Sequence, residues 1–465
     1  MFLINFNHPE SLFYENYRRQ LLATLTVNVL ALSHGIGLGW VAPMLLTLQS
    51  SDSPLTFHVS VEEASSIGAF VSVGGLIGNF SFGVLLDLIG RKKCLYLLAV
   101  PHICFWCMVF FANDVYYLYI ARVLGGTTGG GTYVVLPIFV AEIADSRVRG
   151  TLASGFGFAL SIGMLLGNII GSHISYLLIP CLVMVLPVIY LILVVQFPET
   201  PQYLLRNGYN DAAEKSLKYY RNIKGHTKDE VLQFEANFNE LKSCITSSTN
   251  KQKASFKDLC NPTSVKALLI GIVLMFVFGF SGIYALISYS SLIFAEAKSS
   301  LDPKTNTIII GVFQIIGSYC AFIMIDRYGR KFLMTMSTAG MCIGFTIIGV
   351  YSYMGSKIEL TNVTWLPVVL MSMIILSANI GVISVTFIVL VEILPTKIRS
   401  FGTTFCLVLS SLFTTIVVKA FPVLMVSAGL AVVMWIFATA TAFGFIFFLI
   451  FLKETKGKNL DTESS

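Results

Sequence analysis

The chain has 465 residues, of which 55% are hydrophobic and only 12% are charged, and its formal net charge is +6. A soluble domain carries about 25% charged residues, so this composition excludes an ordinary water-soluble protein and indicates a surface that mostly faces lipid. The basic residues are scattered along the chain between apolar stretches, which excludes the concentrated basic face of a nucleic-acid-binding protein.

Apolar stretches long enough to cross a membrane, which takes about 20 residues, recur through the whole sequence. Their runs are continuous and do not alternate as the strands of a membrane β-barrel do. We therefore predict an all-α polytopic membrane protein with twelve transmembrane helices in two six-helix halves. The predicted starts lie near Leu21, Ala64, Leu95, Val115, Thr151, Tyr176, Ser264, Thr305, Phe332, Thr364, Phe401 and Ala428.

The longest polar stretch divides the twelve helices six and six. The predicted segments are an N-terminus (1–20), an N-terminal half (21–198), a helical linker (199–263), a C-terminal half (264–452) and a tail (453–465). Within the linker, Ala212–Tyr220 is predicted to be helical, and a capping box at Thr227 and Glu230 predicts the start of a second helix.

The distribution of the 31 Lys and Arg residues predicts the orientation in the membrane, because nearly all of them fall in segments on one side. By the positive-inside rule, both termini and the linker lie in the cytoplasm. Nothing in Asp461–Ser465 reads as a retention signal, so we expect the plasma membrane. Asn362 begins an Asn-Val-Thr sequon in a predicted outer loop and is a glycosylation candidate.

Three charged motifs of the first half return in the same order in the second half. Asp87–Lys93 returns as Asp326–Phe332, and Ala141–Arg149 returns as Val391–Arg399. A Glu-Thr pair begins at Glu199 after the sixth span and again at Glu454 after the twelfth. Such a duplication is how transporters that rock two halves around a central site are built.

The charged residues of these motifs fall at the predicted cytoplasmic ends of the helices, where carboxylates and guanidiniums can bridge neighbours. Bridges that form in one state and break in the other would bias a conformational equilibrium. The simpler alternative is that they only anchor loops. The candidate latch residues are Asp87, Arg91, Glu142, Arg149, Glu199, Asp326, Arg330, Glu392, Arg399 and Glu454.

These motifs resemble the sugar-porter family of the major facilitator superfamily over essentially the whole chain. The stretches 392–399, 198–204 and 454–460 are most similar to the insect branch of facilitated trehalose transporter-like proteins. The resemblance implies a sugar as the small-molecule partner, alternating access within the lipid bilayer, and a charged network that holds the cytoplasmic side closed in the outward-open state.

The positions that bind sugar in this family are largely replaced here. The seventh span of sugar porters carries three amide side chains, and the corresponding residues are Phe278, Gly279 and Tyr284. The fifth-span Gln is Gly157, and the tenth-span Trp is Phe387. The remaining candidates for a substrate site are Gln314, Asn379, Tyr284, Ser281, Ser318, Phe387, Ser410 and Thr414.

The free energy of the lost hydrogen bonds can be compared with the free energy of binding a sugar. A hydrogen bond contributes about 0.5–1.5 kcal/mol, so four lost amides remove roughly 2–6 kcal/mol, whereas millimolar binding amounts to about 4 kcal/mol. Three interpretations therefore stay open: a carrier of trehalose or a hexose with a rebuilt site, a non-transporting paralogue that acts as a sensor, and a carrier of a less polar solute.

Coupling to protons is not expected. Proton-driven relatives have an acidic residue directly after a Gly-aromatic pair in the first span, where this chain has Val41 after Gly39 and Trp40. No metal-ligand cluster, nucleotide loop or nucleophile motif stands out, so we expect neither an enzyme nor a cofactor. Gly125–Gly131 lacks the Lys-Ser/Thr end of a phosphate loop and, with Gly74, Gly78 and Gly83, predicts close helix packing.

Overall fold

A computed structural model of the chain describes residues 10–50, 53–145, 148–223, 234–236, 238–243, 245, 261–358, 363–395 and 398–454. Within these ranges every regular element is a helix. The first half contains α1 (Glu10–Gly39), α2 (Val41–Leu48), α3 (Val61–Ile89), α4 (Arg91–Phe110), α5 (Val115–Ile143), α6 (Arg149–His173), α7 (Leu178–Val183) and α8 (Val185–Val194).

The linker and the second half follow the same plan. The linker begins with α9 (Pro201–Arg206) and α10 (Asn210–Tyr220). The second half contains α11 (Pro262–Phe280), α12 (Ile283–Glu296), α13 (Pro303–Tyr328), α14 (Arg330–Gly355), α15 (Leu366–Ala378), a π-helical turn (Asn379–Ile383), α16 (Ser384–Ile393), α17 (Arg399–Ala428) and α18 (Leu430–Phe451).

The predicted twelve-helix architecture is confirmed. In the described part of the chain, eleven helices or broken helix pairs are long and apolar enough to cross a membrane. The sixth span, Leu178–Val194, is shorter and consists of α7 and α8. The chain is therefore a multi-pass membrane protein, and most observed span starts lie close to the predicted ones.

Three spans are broken partway along their length. The first bends at Trp40 between α1 and α2, and the seventh bends at Gly282 between α11 and α12. Gly282 has φ +75° and faces the ring of Phe437, so both its backbone conformation and its lack of a side chain are needed there. The tenth span contains the π-helical turn. Broken helices at membrane depth are tolerated where they line a cavity or are buried in protein.

Close packing of α3 against α5 confirms the structural interpretation of the glycines. A Cβ added at Gly74 would lie 2.0 Å from the Val123 carbonyl oxygen, and one at Gly78 would lie 2.2 Å from that of Thr127. A Cβ at Gly126 would lie 2.0 Å from the Val71 carbonyl oxygen. These glycines let two backbones touch, as small residues do in membrane helix pairs.

The linker helix α10 packs against the N-terminal half. Ser216 donates a hydrogen bond to the Glu199 carbonyl, and Tyr220 donates to the Pro198 carbonyl at 2.7 Å. The amide of Gln20 in α1 donates to the Tyr220 carbonyl at 3.2 Å. The prediction of a helix ending at Tyr220 is confirmed, whereas the capping box predicted at Thr227 lies outside the described residues.

Candidate functional site

One end of the helix bundle carries the charged motifs of the first half, and its centre is a buried ion pair. Arg91 Nη2 lies 2.7 Å from Glu142 Oε1, with side-chain exposures of 4% and 6%. The second oxygen of Glu142 accepts a hydrogen bond from the Thr200 hydroxyl at 2.6 Å. Asp87 is more distant, 3.8 Å from Arg91, and its side chain is 78% exposed.

Glu199 closes this first cluster from the start of the linker. Its carboxylate accepts hydrogen bonds from the backbone N–H groups of Arg91 at 3.1 Å and Lys92 at 3.0 Å, at the N-terminus of α4. Burial raises the pKa of Glu199 above its ordinary value, and the N–H groups of Thr200, Lys92 and Arg91 oppose that shift. A carboxylate at a helix N-terminus also interacts favourably with the helix dipole.

The second half repeats this arrangement at its own charged end. Arg330 Nη2 lies 3.3 Å from Glu392 Oε1. Glu454 accepts from the backbone N–H groups of Arg330 at 2.9 Å and Lys331 at 3.1 Å. Six of the ten predicted latch residues therefore form two equivalent clusters, each within one half: Arg91, Glu142 and Glu199, and Arg330, Glu392 and Glu454.

The remaining candidates are distributed differently. Arg149 is exposed at the first residue of α6. The side chains of Asp326 and Arg399 lie outside what the structure describes, and so does Asn362, the glycosylation candidate.

The two halves touch at the opposite end of the bundle. Tyr289 of α12 inserts its hydroxyl between α3 and α17, 3.2 Å from the Val418 carbonyl oxygen and 3.4 Å from that of Ala64. Its ring stacks on Phe421 with centroids 5.5 Å apart. A Cβ at Gly68 of α3 would lie 2.0 Å from the Tyr289 hydroxyl, so only glycine admits it.

Two further contacts close this end. Lys419 of α17 donates a hydrogen bond to the Ser66 hydroxyl, so it contacts the other half. Asn168 of α6 donates to the Thr307 carbonyl of α13 at 3.3 Å.

Toward the charged end the packing between the halves is more open. Added Cβ atoms at Gly83 in α3 and at Gly157 in α6 would meet no atom within 4 Å, although Phe158 of α6 still packs against Tyr319 of α13 with ring centroids 6.1 Å apart. The expectation that Gly83 supports close packing is therefore wrong, because its side of α3 faces open space. The halves are tightly joined at the Tyr289 end and more open toward the charged end.

The predicted amide candidates lie between the halves but are engaged with protein partners. Gln314 donates to the Met164 sulfur at 3.1 Å. Ser318 donates to the Asn379 amide oxygen at 3.3 Å and lies 3.2 Å from the Ser161 hydroxyl of the other half. The amide nitrogen of Asn379 donates to the carbonyl of Ile375 at 2.8 Å. These groups join α6, α13 and the tenth span to one another.

The other candidates of the second half surround a group of rings. Phe278 packs against Tyr284 with centroids 5.4 Å apart and against Phe387 at 5.0 Å. Ser281 is fully buried and donates to the Phe278 carbonyl at 2.8 Å, so its hydroxyl stabilises the helix break. The remaining hydroxyls, Ser410 and Thr414 on α17, are about 95% buried, with exposures of 5% and 6%.

Sequence reasoning missed two residues that border the same space from the first half. Tyr133 of α5 is 41% exposed, and its ring packs against Phe156 of α6 at 5.1 Å. Phe156 directly precedes Gly157, which borders open space. The available signal was a Tyr shortly after the three glycines Gly129–Gly131.

The interior of the first half contains a buried arginine, Arg122 of α5, which is 3% exposed. Its guanidinium donates to the carbonyls of Ile67 at 3.0 Å and Gly37 at 3.2 Å, tying α5 to α3 and α1. Val41 and Trp40 lie with Arg122 around a cavity of about 10 Å³, room for about one water-sized particle. His34 is 4% exposed and packs against Gly129, as expected for a structural histidine.

Comparison with known proteins gives the same architecture. A family model described as "Sugar (and other) transporter" matches residues 27–464. The facilitated trehalose transporter Tret1 of Polypedilum vanderplanki is 30% identical over 446 residues, covering 95% of this chain and 86% of the relative. Tret1 of Apis mellifera ligustica is 29% identical over 448 residues, covering 96% and 87%.

Solved structures match over nearly the whole length. The inward-open conformation of the xylose transporter XylE from E. coli superposes with a TM-score of 0.75 at 21% identity, covering 94% of this chain and 97% of that chain. Its partially occluded inward-open conformation gives a TM-score of 0.73 at 19% identity, covering 94% and 100%. At this identity the match shows the fold.

Proposed function

This chain belongs to the Sugar (and other) transporter family, and on that basis we propose that it carries a sugar, trehalose or a hexose, across the membrane by alternating access. The relatives named facilitated trehalose transporters support the substrate class and the facilitative mode. We place the protein in the plasma membrane, with the charged end, both termini and the linker on the cytoplasmic side.

The observation that carries this proposal is the asymmetric closure of the two halves around a central space. Tyr289 and Lys419 hold one end shut, while Gly157 borders open space toward the other. A membrane protein that closes at one end and opens at the other around a midplane site has the geometry of a rocking carrier. A channel would need a continuous path through both ends.

The two charged clusters support the proposal that these residues form a conformational latch, in which each cluster first holds together the helix ends of its own half. In this structure, which is closed at the Tyr289 end, the described ion pairs at the charged end join helices of the same half. Each cluster fixes the ends of its own helices as a unit, and we propose that the two units meet when the charged end closes.

Transport is proposed to be independent of protons. Arg122 is 3% exposed and its guanidinium is held by backbone carbonyls, while Val41 stands on the cavity wall where an acidic partner would be needed. The most buried carboxylate in the described ion pairs, Glu142, lies in the charged cluster of the first half, and the residues around the Arg122 cavity include no Asp or Glu. A carrier without a titrating group next to its site can equilibrate its solute but cannot concentrate it.

The test is uptake by the full chain in cells that lack hexose uptake, with surface expression verified. Radiolabelled trehalose and glucose should enter saturably, and preloading with unlabelled sugar should accelerate entry, because an occupied carrier returns faster than an empty one. A sensor or non-transporting paralogue would reach the surface and show neither uptake nor acceleration, and that outcome would overturn the proposal.

A further inference from the structure

The central space is lined by aromatic rings on both sides. On the second half Phe278, Tyr284 and Phe387 form a contiguous group, here called the aromatic wall, with ring centroids 5.0–5.4 Å apart. Tyr284 and Phe387 are half-buried, and Phe278, which is 3% exposed, packs behind them. On the first half the rings of Tyr133 and Phe156 pack together, 5.1 Å apart, and Tyr133 is 41% exposed.

Hydroxyl-recognising groups are scarce in the same space. The amide nitrogens of Gln314 and Asn379 already donate to Met164 and Ile375, and Ser318 donates to Asn379. A sugar hydroxyl competes with these protein contacts, so its net gain is smaller than at unengaged amides. A free hexose or disaccharide, whose surface is mostly hydroxyl, matches this lining poorly.

Room for a bulkier ligand is present beside the rings. A Cβ at Gly157, the residue after Phe156, would meet nothing within 4 Å. The side of the space formed by α6 is therefore open at the depth of the rings. Pockets with largely aromatic walls and a few polar groups bind ligands that present a flat apolar face.

We propose that the substrate is a sugar that carries an aromatic substituent, an aryl glycoside. Its aromatic ring lies between the aromatic wall and Tyr133, and its sugar ring occupies the open space beside Gly157. The phenols of Tyr133 and Tyr284 supply the hydroxyl contacts. This inference rests on the proposed sugar transport and extends its substrate class from free sugars to glycosides, with a free sugar as the weaker ligand.

The experiment compares two competitors that differ only in the aromatic ring, phenyl β-glucoside and methyl β-glucoside. Each is tested as an inhibitor of labelled glucose uptake and, on the purified full-length protein, as a stabiliser against thermal unfolding, which reports binding without transport. We expect phenyl glucoside to act at a concentration at least about tenfold lower, a difference of 1.4 kcal/mol.

Two variants test whether the aromatic wall causes the preference. Tyr284→Asn and Phe278→Gln each replace a ring by an amide, and each should reduce the phenyl preference to about threefold or less while improving inhibition by methyl glucoside. The matched control is Phe280→Leu on the same helix, because Phe280 stacks on Phe276 and faces an outer groove lined by Ile436 and Phe443. It should retain the preference.

The outcomes separate the two proposals. Equal action of both glucosides alongside saturable glucose uptake would overturn the aryl-glycoside inference and leave sugar transport standing. A phenyl preference that persists in both wall variants would overturn the assignment to the aromatic wall. Neither binding nor uptake of any of the sugars by surface-expressed protein would overturn both proposals.

Discussion

At the scale of single residues, the charged end depends on buried carboxylates that each receive more than one donor. Glu142 binds Arg91 through one oxygen and Thr200 through the other, while Asp87 remains exposed beside the same Arg91. Asp87 and Glu142 belong to separate motifs that meet at Arg91, and their difference in burial decides how much each contributes to stability.

This difference predicts the effect of Glu142→Gln. The change leaves Arg91 buried without its counter-charge, which costs about 3–5 kcal/mol, and the apparent melting temperature in detergent should fall sharply. The matched change Asp87→Asn removes a carboxylate from an exposed, long pair and should cost less than about 1 kcal/mol. Equal losses in the two variants would contradict this account of the cluster.

The sequence shows which residue types occupy the family's binding positions, but it does not show which side chains meet after the helices pack. The loss of the family amides at Phe278 and Tyr284 was readable directly. That Gln314 and Asn379 are engaged was not, because their partners Met164 and Ser318 depend on helix rotation and on contacts between distant spans. Tyr133 was not predicted as a site residue, because α5 is apolar nearly all round and the periodicity of its sequence cannot show which side faces the cavity.

At the scale of elements, the tenth span shows a device that no sequence motif predicted. The π-helical turn Asn379–Ile383 directly precedes α16, and within it the backbone N–H of Val382 donates to the Ser337 hydroxyl of α14 at 3.1 Å. An extra residue in one turn has no composition signal, and π-turns are common at functional sites. The span starts, by contrast, followed from apolar length alone.

Ser337→Ala should therefore destabilise the protein, because the Val382 N–H loses its acceptor in a buried place, at a cost of about 1–3 kcal/mol. The control is Ser352→Ala in the same helix, whose buried hydroxyl has no hydrogen-bond partner in the described structure. Thermal unfolding of the two variants in detergent is the measurement. A loss at Ser352 as large as at Ser337 would show that the π-turn contact contributes nothing.

The contact of α12 with α3 predicts a conformational effect for Tyr289→Phe. The ring can still stack on Phe421, but the hydrogen bond to Val418 is lost. One hydrogen bond contributes about 0.5–1.5 kcal/mol, so the population closed at the Tyr289 end should fall by about two- to tenfold relative to the population open there.

Labelling of an introduced Gly157→Cys in a cysteine-free background measures that shift. Without the Tyr289 change, impermeant thiol reagents should reach the new cysteine from the charged end only. With Tyr289→Phe they should reach it from both sides. Labelling that is the same with and without the hydroxyl would mean that the Tyr289 contact does not set the equilibrium.

At the scale of the whole molecule, the duplicated motifs correspond to two halves that are built alike. Each half is held together by its own charged cluster, and the halves meet through Tyr289, Lys419 and Asn168 at the end away from those clusters. The two-fold repeat was predictable because its motifs recur in order. The state of the molecule was not, since both states use the same helices and differ only in which ends touch.

The central claim is that this carrier equilibrates its solute without using the proton gradient. The direct measurement is the steady-state ratio of internal to external labelled sugar in proteoliposomes containing the purified full chain, with and without an imposed proton gradient. We predict saturable entry that stops at equal concentrations on both sides under either condition, because no carboxylate faces Arg122 among the described residues. Accumulation above the external concentration that collapses when the gradient is dissipated would contradict the account.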